Sequence, residues 1–176
     1  MVKKVLIATD GSGHARKVVE VGSEIAASHG AEVVLVHVRL RDHLSENLRH
    51  MAEIEFEAAE GGRTIHDALG EIPDGRFPAA NLLPRELKSR DEILFAVAEQ
   101  VLSEAEHIAR AHGITRIVRE IEDGKPALRI LDVAKDVGAD MIVTGARGLS
   151  DLQALMIGSV LHKLSHLSPV TCVTVR

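Results

Sequence analysis

The chain has 176 residues, a length that suits one domain with a well-buried core. Hydrophobic residues make up 45% of the chain but aromatic residues only 2%, so the core must be built from aliphatic side chains. Trp and Tyr are absent and the formal net charge is -5, which leaves no aromatic platforms for bases and repels a phosphate backbone. We therefore expect no nucleic-acid partner.

The first residues and the single cysteine bear on location. The apolar run in MVKKVLIATD ends at Thr9-Asp10, which is too soon for an export signal. No later stretch is long and apolar enough to span a membrane. Cys172 lies in an apolar, strand-like run, which favours a packed and inert thiol in a reducing compartment. The sequence therefore predicts a cytoplasmic protein without a membrane partner.

Short β-branched runs alternate with helical patterns along the chain. KKVLIAT predicts a first strand, and it stops at DGS, where Ser12 can cap the helix that follows. Gly30 ends that helix, and AEVVLVHV predicts the second strand. Apolar residues at helical spacing then predict a long helix over 89–112, after which TRIVREI predicts the third strand.

The second half repeats this alternation. GKPALRILDVAKDVGAD predicts a helix, with Pro126 in its first turn and Gly138 after its last. MIVTG predicts the fourth strand, 159–168 the fourth helix and PVTCVTV the last strand. Five strands alternating with four helices predict an α/β fold, with one doubly wound parallel sheet covered by helices on both faces. We expect the strand order 3-2-1-4-5, in which the first and fourth strands are neighbours.

One segment interrupts the alternation. About fifty residues, Arg39 to Lys88, separate the second strand from the long helix, and this is too long for a plain loop. Apolar residues at helical spacing in its first part predict a partly helical insertion at about 40–88, a lid or contact surface within a single domain of 1–176. A disordered excursion is the alternative.

The stretch GARGLSDLQALMIGSV follows the fourth strand and contains several glycines, which are costly in conformational entropy. Ligands of open α/β sheets lie outside the carboxyl ends of the strands, where the connections diverge. Gly145 and Gly148 would let a ligand approach the backbone there. Gly158 and Ser159 would open a helix whose N–H groups favour an anion, and Arg147 can add a charge-assisted contact.

The end of the first strand predicts the other half of a site. A carboxylate beside phosphates is repulsive, so Asp10 is better interpreted as a contact to ribose or a metal ion. Ala8 and Val38 offer apolar surface for a flat base. Together these parts suit a nucleotide. Simpler roles stay open: glycines that serve turns only, an Arg147 that faces solvent, and an Asp10 that only orients its turn.

The glycines match G-x2-G-x9-G-[ST], the nucleotide-binding motif of the universal stress protein family, and the chain resembles that family over nearly its whole length. KKVLIATDGSGHA is similar to the family's opening strand and turn, and GAEVVLVHV to its second strand. DGKPALRILDVAKDVGADMIVTGARG is similar to the central signature, and SPVTCVTVR to the closing strand. The resemblance implies an adenine nucleotide alpha hydrolase-like fold that binds ATP, or AMP or ADP, with Mg2+ as a candidate companion.

The resemblance also implies roles for individual residues. Those at the ends of the first two strands would contact adenine and ribose. Gly145, Arg147 and Gly148, at the start of the glycine-rich stretch 145–158 that we call the glycine loop, would contact ribose and the inner phosphates. The residues that open the fourth helix would contact the outer phosphates. Together with Ala8, which was proposed above for its apolar surface, the predicted nucleotide-binding residues are Ala8, Thr9, Asp10, Val38, Gly145, Arg147, Gly148, Gly158, Ser159 and Val160. A homodimer through the C-terminal strand is implied as well, since that strand would be an apolar edge.

Catalysis finds less support. The sequence contains no recognisable nucleophile–base pair, whereas phosphoryl transfer needs a clamping lysine, a metal site and an orienting group. We therefore expect a nucleotide-binding regulatory protein, for which the resemblance implies at most slow ATP hydrolysis or self-phosphorylation. Two alternatives stay open. One is a hydrolase or phosphotransferase completed by groups of the insertion, such as His43, His50 and Asp67. The other is a structural dimer module without nucleotide.

Three histidines have simpler interpretations. His37 lies within an apolar strand, which predicts a hydrogen-bonded core histidine. His162 and His166 are four residues apart on the fourth helix, a spacing that metal pairs use. The sequence shows no third ligand beside them, so we expect surface histidines and no metal site.

Overall fold

The structure is a computed structural model that describes residues 1–39, 90–146 and 159–176. The predicted insertion at about 40–88 therefore lies outside the described residues. Within them the elements follow the predicted alternation. In chain order they are β1 (Lys4–Ala8), α1 (Gly13–His29), β2 (Glu32–Arg39), α2 (Arg90–Ala111), β3 (Ile117–Asp123), α3 (Pro126–Asp136), β4 (Met141–Gly145), α4 (Ser159–Leu167) and β5 (Thr171–Val175).

The strands form one parallel sheet in the order β3-β2-β1-β4-β5. This confirms the predicted α/β fold and its strand order. β1 is the central strand: its last residue, Ala8, lies opposite Val36 of β2, and Ile7 lies opposite Val143 of β4. The carboxyl ends of β1, β2 and β4 consequently lie side by side at the same end of the sheet.

Two apolar layers cover the two faces of the sheet. Residues of α1 and α2 pack on one face, which we call the α1/α2 face, and residues of α3 and α4 pack on the other, the α3/α4 face. Side chains of β1 alternate between them: Val5 and Ile7 belong to the first layer and Leu6 to the second, and all three are 0% exposed. Burial on both faces explains why β1, β4 and most of β2 are continuous apolar runs.

Helix ends follow the sequence signals. The Ser12 hydroxyl accepts a hydrogen bond from the Ala15 N–H at 3.3 Å, which caps α1, and Gly30 ends that helix in the left-handed conformation. Pro126 begins α3 as predicted. Cys172 is half-buried against the α3/α4 face, as expected of a packed thiol. Among the helices in the described residues, none combines the length and hydropathy that crossing a bilayer requires.

The turn between β1 and α1 packs tightly against α2. Gly11 has a φ of +76°, which side chains of L-residues rarely adopt, and a Cβ built on it would lie 2.5 Å from Cγ2 of Val101. Valine is stiff about χ1, so Val101 cannot easily move aside. Both backbone conformation and space therefore require glycine at this position.

A carboxylate ties the amino ends of β1 and β4 together. Oδ2 of Asp140 accepts hydrogen bonds from the N–H groups of Lys3 at 2.7 Å and Lys4 at 3.0 Å. The N–H of Asp140 in turn donates to the Lys4 carbonyl at 2.9 Å. The bonds from Lys3 and then Lys4 stabilise the ionised form and so lower the pKa of Asp140.

We expect Asp140→Asn to lower the melting temperature at neutral pH, because hydrogen bonds to an ionised acceptor are stronger than those to a neutral one. The folded-state pKa is depressed, so this contribution is present above the unfolded pKa and is lost as pH falls through the folded one. Thermal unfolding from neutral to strongly acid pH should show wild type and variant converging in acid. Asp136→Asn, at the exposed end of α3, is the control. Equal losses from both substitutions at neutral pH would contradict the assignment.

We expect Gly11→Ala to reduce the free energy of unfolding by about 1–3 kcal/mol more than Gly30→Ala does, because the new methyl group overpacks against Val101. Gly30 is a matched control, since its φ is +63° but no atom lies within 4 Å of a Cβ built there. Urea unfolding of the two variants measures the difference. Equal losses would show that the contact with Val101 has no energetic weight.

Candidate functional site

The predicted site residues begin at the ends of three neighbouring strands. Ala8 is the last residue of β1, Gly145 is the last of β4, and Val38 is the last but one of β2. The chain leaves β1 toward the α1/α2 face, whereas the helix that follows β4 packs on the α3/α4 face. The adjacent strands β1 and β4 thus form a topological switch point, the place where open α/β sheets bind ligands.

Three apolar residues of the predicted set lie on one face of the sheet. Ala8 and Val38 are half-buried and pack against the cluster of the α3/α4 face. Val160, from the first turn of α4, packs against the same cluster. The structure therefore brings the ends of β1 and β2 and the start of α4 into one apolar layer.

The glycine loop is only partly described. Gly145 ends β4 opposite Val175 of β5, and the next residue, Ala146, donates its N–H to the Val175 carbonyl at 2.8 Å. Arg147, Gly148 and Gly158 lie outside the described residues, and Ser159 is described by its backbone alone, as the first residue of α4. The contacts expected of these four residues stay predictions.

Asp10 helps to shape the turn that follows β1. Its Oδ1 accepts a hydrogen bond from the Ser12 N–H at 3.0 Å, and Ser12 caps α1. Thr9 precedes it and donates its N–H to the Val36 carbonyl at 3.0 Å, which extends the pairing of β1 with β2 by one bond. Thr9 is buried and Asp10 half-buried. Oδ1 of Asp10 therefore orients its turn, which is one of the roles that the sequence left open.

His37 contacts this turn from β2. Its Nδ1 lies 2.9 Å from the Thr9 carbonyl oxygen, and the side chain is buried. Burial lowers the pKa of His37, against the opposing effects of the Thr9 carbonyl and the Asp10 charge, with Arg39 lowering it further. At neutral pH the ring is thus neutral, and Nδ1 carries the hydrogen because a carbonyl can only accept. The prediction of a hydrogen-bonded core histidine is confirmed.

An ion pair links the carboxyl ends of β2 and β3. Nη2 of Arg39 lies 2.7 Å from Oδ2 of Asp123, and its guanidinium carbon lies 5.8 Å from the ring centroid of Phe95 on α2. The Gly124 N–H donates to the Arg39 carbonyl at 3.2 Å. Sequence reasoning missed this group, because no local signal links residues 84 positions apart. Arg39 follows Val38 in β2 and its guanidinium lies near Phe95 of α2, so its side chain lies on the α1/α2 face, opposite to Val38.

In the part of the chain that the structure describes, no three His, Cys, Asp or Glu side chains lie close enough together to hold a metal ion. His162 and His166 are exposed, with ring centroids 4.6 Å apart, as expected of surface histidines. Where β1 and β4 end, the described groups include apolar surface, backbone groups and the Asp10 carboxylate, with the Arg39–Asp123 ion pair further along at the ends of β2 and β3. Such a set suits a flat apolar base and a hydroxyl-bearing sugar.

Comparison with known proteins agrees with this architecture. The model of the family described as "Universal stress protein family" matches residues 1–176. A protein of Thermus aquaticus, described as "Universal stress protein in QAH/OAS sulfhydrylase 3'region", is 30% identical over 176 residues, which are 100% of both chains.

Two solved structures share the fold. A universal stress protein in complex with cAMP has a TM-score of 0.62 at 23% identity, covering 99% of this chain and 97% of that one. The universal stress protein from Archaeoglobus fulgidus in complex with dAMP has a TM-score of 0.58 at 18% identity, covering 100% of this chain and 98% of that one. Since the family model spans every residue, the chain belongs to the universal stress protein family.

Proposed function

We propose that the protein binds an adenine nucleotide at the carboxyl ends of β1, β2 and β4 and acts as a regulatory module in a cytoplasmic stress response. The observation that carries the proposal is the switch point itself, where Asp10 follows β1 and Gly145 ends the neighbouring β4. Family membership supports it, as do the cAMP and dAMP complexes of two proteins with this fold.

The base and sugar would lie against the first two strands. Ala8 and Val38 share one apolar layer and are half-buried, which leaves part of their surface for the flat adenine ring. The Asp10 carboxylate accepts hydrogen bonds and so suits ribose hydroxyls, with Thr9 beside it. Because the turn already holds one oxygen of Asp10, little ordering of this side chain would accompany binding.

The phosphates would lie against the glycine loop and the start of α4. Helix α4 begins at Ser159, and the N–H groups and positive dipole end of its first turn, where Val160 lies, suit an anion. Gly145, Gly148 and Gly158 would admit the phosphates to the backbone, and Arg147 would neutralise part of their charge. ATP, ADP and AMP all fit this scheme. With the longer phosphate chains of ADP and ATP, Mg2+ would offset their repulsion from the Asp10 carboxylate.

Binding rather than turnover is the proposed activity. A nucleotide can regulate a partner only through differential affinity for two states of the protein or of its complexes. Residues 1–176 would serve as one domain, which agrees with the length of the family match.

We expect the wild type to bind ATP, ADP or AMP with a Kd on the order of micromolar in calorimetric titrations with and without Mg2+. Gly148→Val should weaken binding at least about tenfold, since a side chain would occupy the space of the phosphates. Asp10→Asn should do the same by removing the charge that attracts ribose hydroxyls, while its remaining side-chain oxygen can still accept from Ser12.

Gly30→Asn is the matched control for both variants. Gly30 lies at the opposite end of the sheet in a left-handed conformation that asparagine tolerates, with open space around it. Its affinity should equal that of the wild type. A folded wild type that binds none of the three nucleotides at millimolar concentration would overturn the proposal.

We also propose a homodimer through β5. Among the described strands, β5 and β3 are the edges of the sheet. β3 carries charged residues at four of its seven positions, Arg119, Glu120, Glu122 and Asp123, whereas β5 has none in its sequence TCVTV. Charges protect an edge from pairing, so β5 is the edge suited to a second copy.

Backbone geometry gives this dimer a sharp test. The Val175 carbonyl accepts from Ala146 and so points toward β4. The backbone N–H and C=O groups of successive residues in a strand point alternately toward the neighbouring strands on its two sides. The N–H of Thr174 therefore points away from β4. We expect Thr174→Pro to remain folded but to become monomeric, because proline is tolerated at an edge yet cannot donate to a second strand. Thr174→Ala, which keeps the N–H, should stay dimeric in light scattering. A monomeric wild type at micromolar concentration would contradict the dimer.

A further inference from the structure

Thr9, the residue that follows β1, is held to β2 by two hydrogen bonds. The Thr9 N–H donates to the Val36 carbonyl at 3.0 Å, and the Thr9 carbonyl accepts from Nδ1 of His37 at 2.9 Å. The second bond comes from a side chain that is itself buried. Its ring therefore has little freedom to move away.

Side-chain alternation shows which layer His37 occupies. Val34 and Val36 belong to the α3/α4 face, whereas Val33 and Leu35 belong to the α1/α2 face. With a period of two, His37 shares the face of Val33 and Leu35. The histidine thus anchors the turn from the face opposite to Ala8 and Val38, and it does not occupy the surface proposed for the base.

Holding the Thr9 carbonyl determines the direction of Asp10. A peptide unit is planar and trans, so its N–H points opposite to its C=O. With the carbonyl directed at Nδ1 of His37, the Asp10 N–H points away from His37. The orientation of the Asp10 backbone then sets where its carboxylate can reach.

We propose that His37 is a positioning residue of the nucleotide site, whose hydrogen bond to the Thr9 carbonyl aims the Asp10 carboxylate at the ligand. The inference rests on the proposed nucleotide binding and assigns to His37 no contact with the nucleotide. Its effect passes through one backbone carbonyl. A side chain that restores the donor at the same place must therefore restore affinity.

Three substitutions separate positioning from packing. His37→Asn puts its amide nitrogen close to the place of Nδ1 and keeps the donor, His37→Gln moves the amide one methylene further, and His37→Leu removes it. Val33→Ala is the matched control, because Val33 lies on the same strand and face but at the opposite end, and is 0% exposed. Urea unfolding first establishes that each variant is folded.

Calorimetric titration with ATP, ADP and AMP gives the first readout. We expect His37→Leu and His37→Gln to raise Kd at least about tenfold, His37→Asn to stay within about threefold of wild type, and Val33→Ala to lose stability without losing affinity. In an Asp10→Asn background His37→Leu should cost much less, since the group it aims has lost its charge. Unchanged affinity in His37→Leu, or equal effects with and without the Asp10 carboxylate, would overturn the inference.

Hydrogen exchange gives a second readout that needs no ligand. The Ser12 N–H is protected by Asp10 Oδ1, so a released turn exchanges faster at Ser12 in His37→Leu and not in His37→Asn. A wild type that binds no nucleotide would end the proposed function and the affinity role with it. Faster exchange at Ser12 would then show only that His37 holds the turn. Binding by the wild type with unchanged exchange and Kd in His37→Leu would end the inference alone.

Discussion

The central strand β1 is enclosed on every side except at its ends. Backbone bonds to β2 and β4 occupy both its edges, and Val5, Leu6 and Ile7 are completely buried between the two helical layers. Nothing polar can be accommodated along this strand without losing a hydrogen bond or core packing. Binding groups could therefore lie only where the strand stops, and the turn after Ala8 would have to satisfy the core, the backbone and the proposed nucleotide together.

The amino and carboxyl ends of the sheet have different roles. At the amino end, Asp140 uses one oxygen for two N–H groups and sets β4 against β1. At the carboxyl end the chains separate: one leaves for the α1/α2 face and the other, through the glycine loop, for the α3/α4 face. The strand register is thus secured at the amino end and in the core, which leaves the carboxyl ends of the strands as the place where binding groups could be introduced without disturbing it.

The fold was predictable because its signals are local. Apolar runs, the Ser12 cap and the Gly30 stop each lie within a few residues of the feature they specify, and alternation of strands and helices leads to the parallel sheet. The positions of Ala8, Asp10 and Gly145 follow from where the apolar runs end. The contacts of His37 with Thr9 and of Gly11 with Val101 were not predictable, because they depend on how distant elements pack. An isolated histidine next to a strand end was the one available hint.

The turn after β1 unites the structural and functional arguments. Gly11 gives it a shape that only glycine adopts beside Val101, Oδ1 of Asp10 closes it onto Ser12, and His37 orients its first peptide. Each contact would stabilise the fold even without a ligand. Each would also remove freedom that Asp10 would otherwise lose on binding the proposed nucleotide, and such preorganisation raises affinity without a new contact. The same bonds can therefore carry a structural and a binding role, and only substitutions that restore one donor at one place can separate the two.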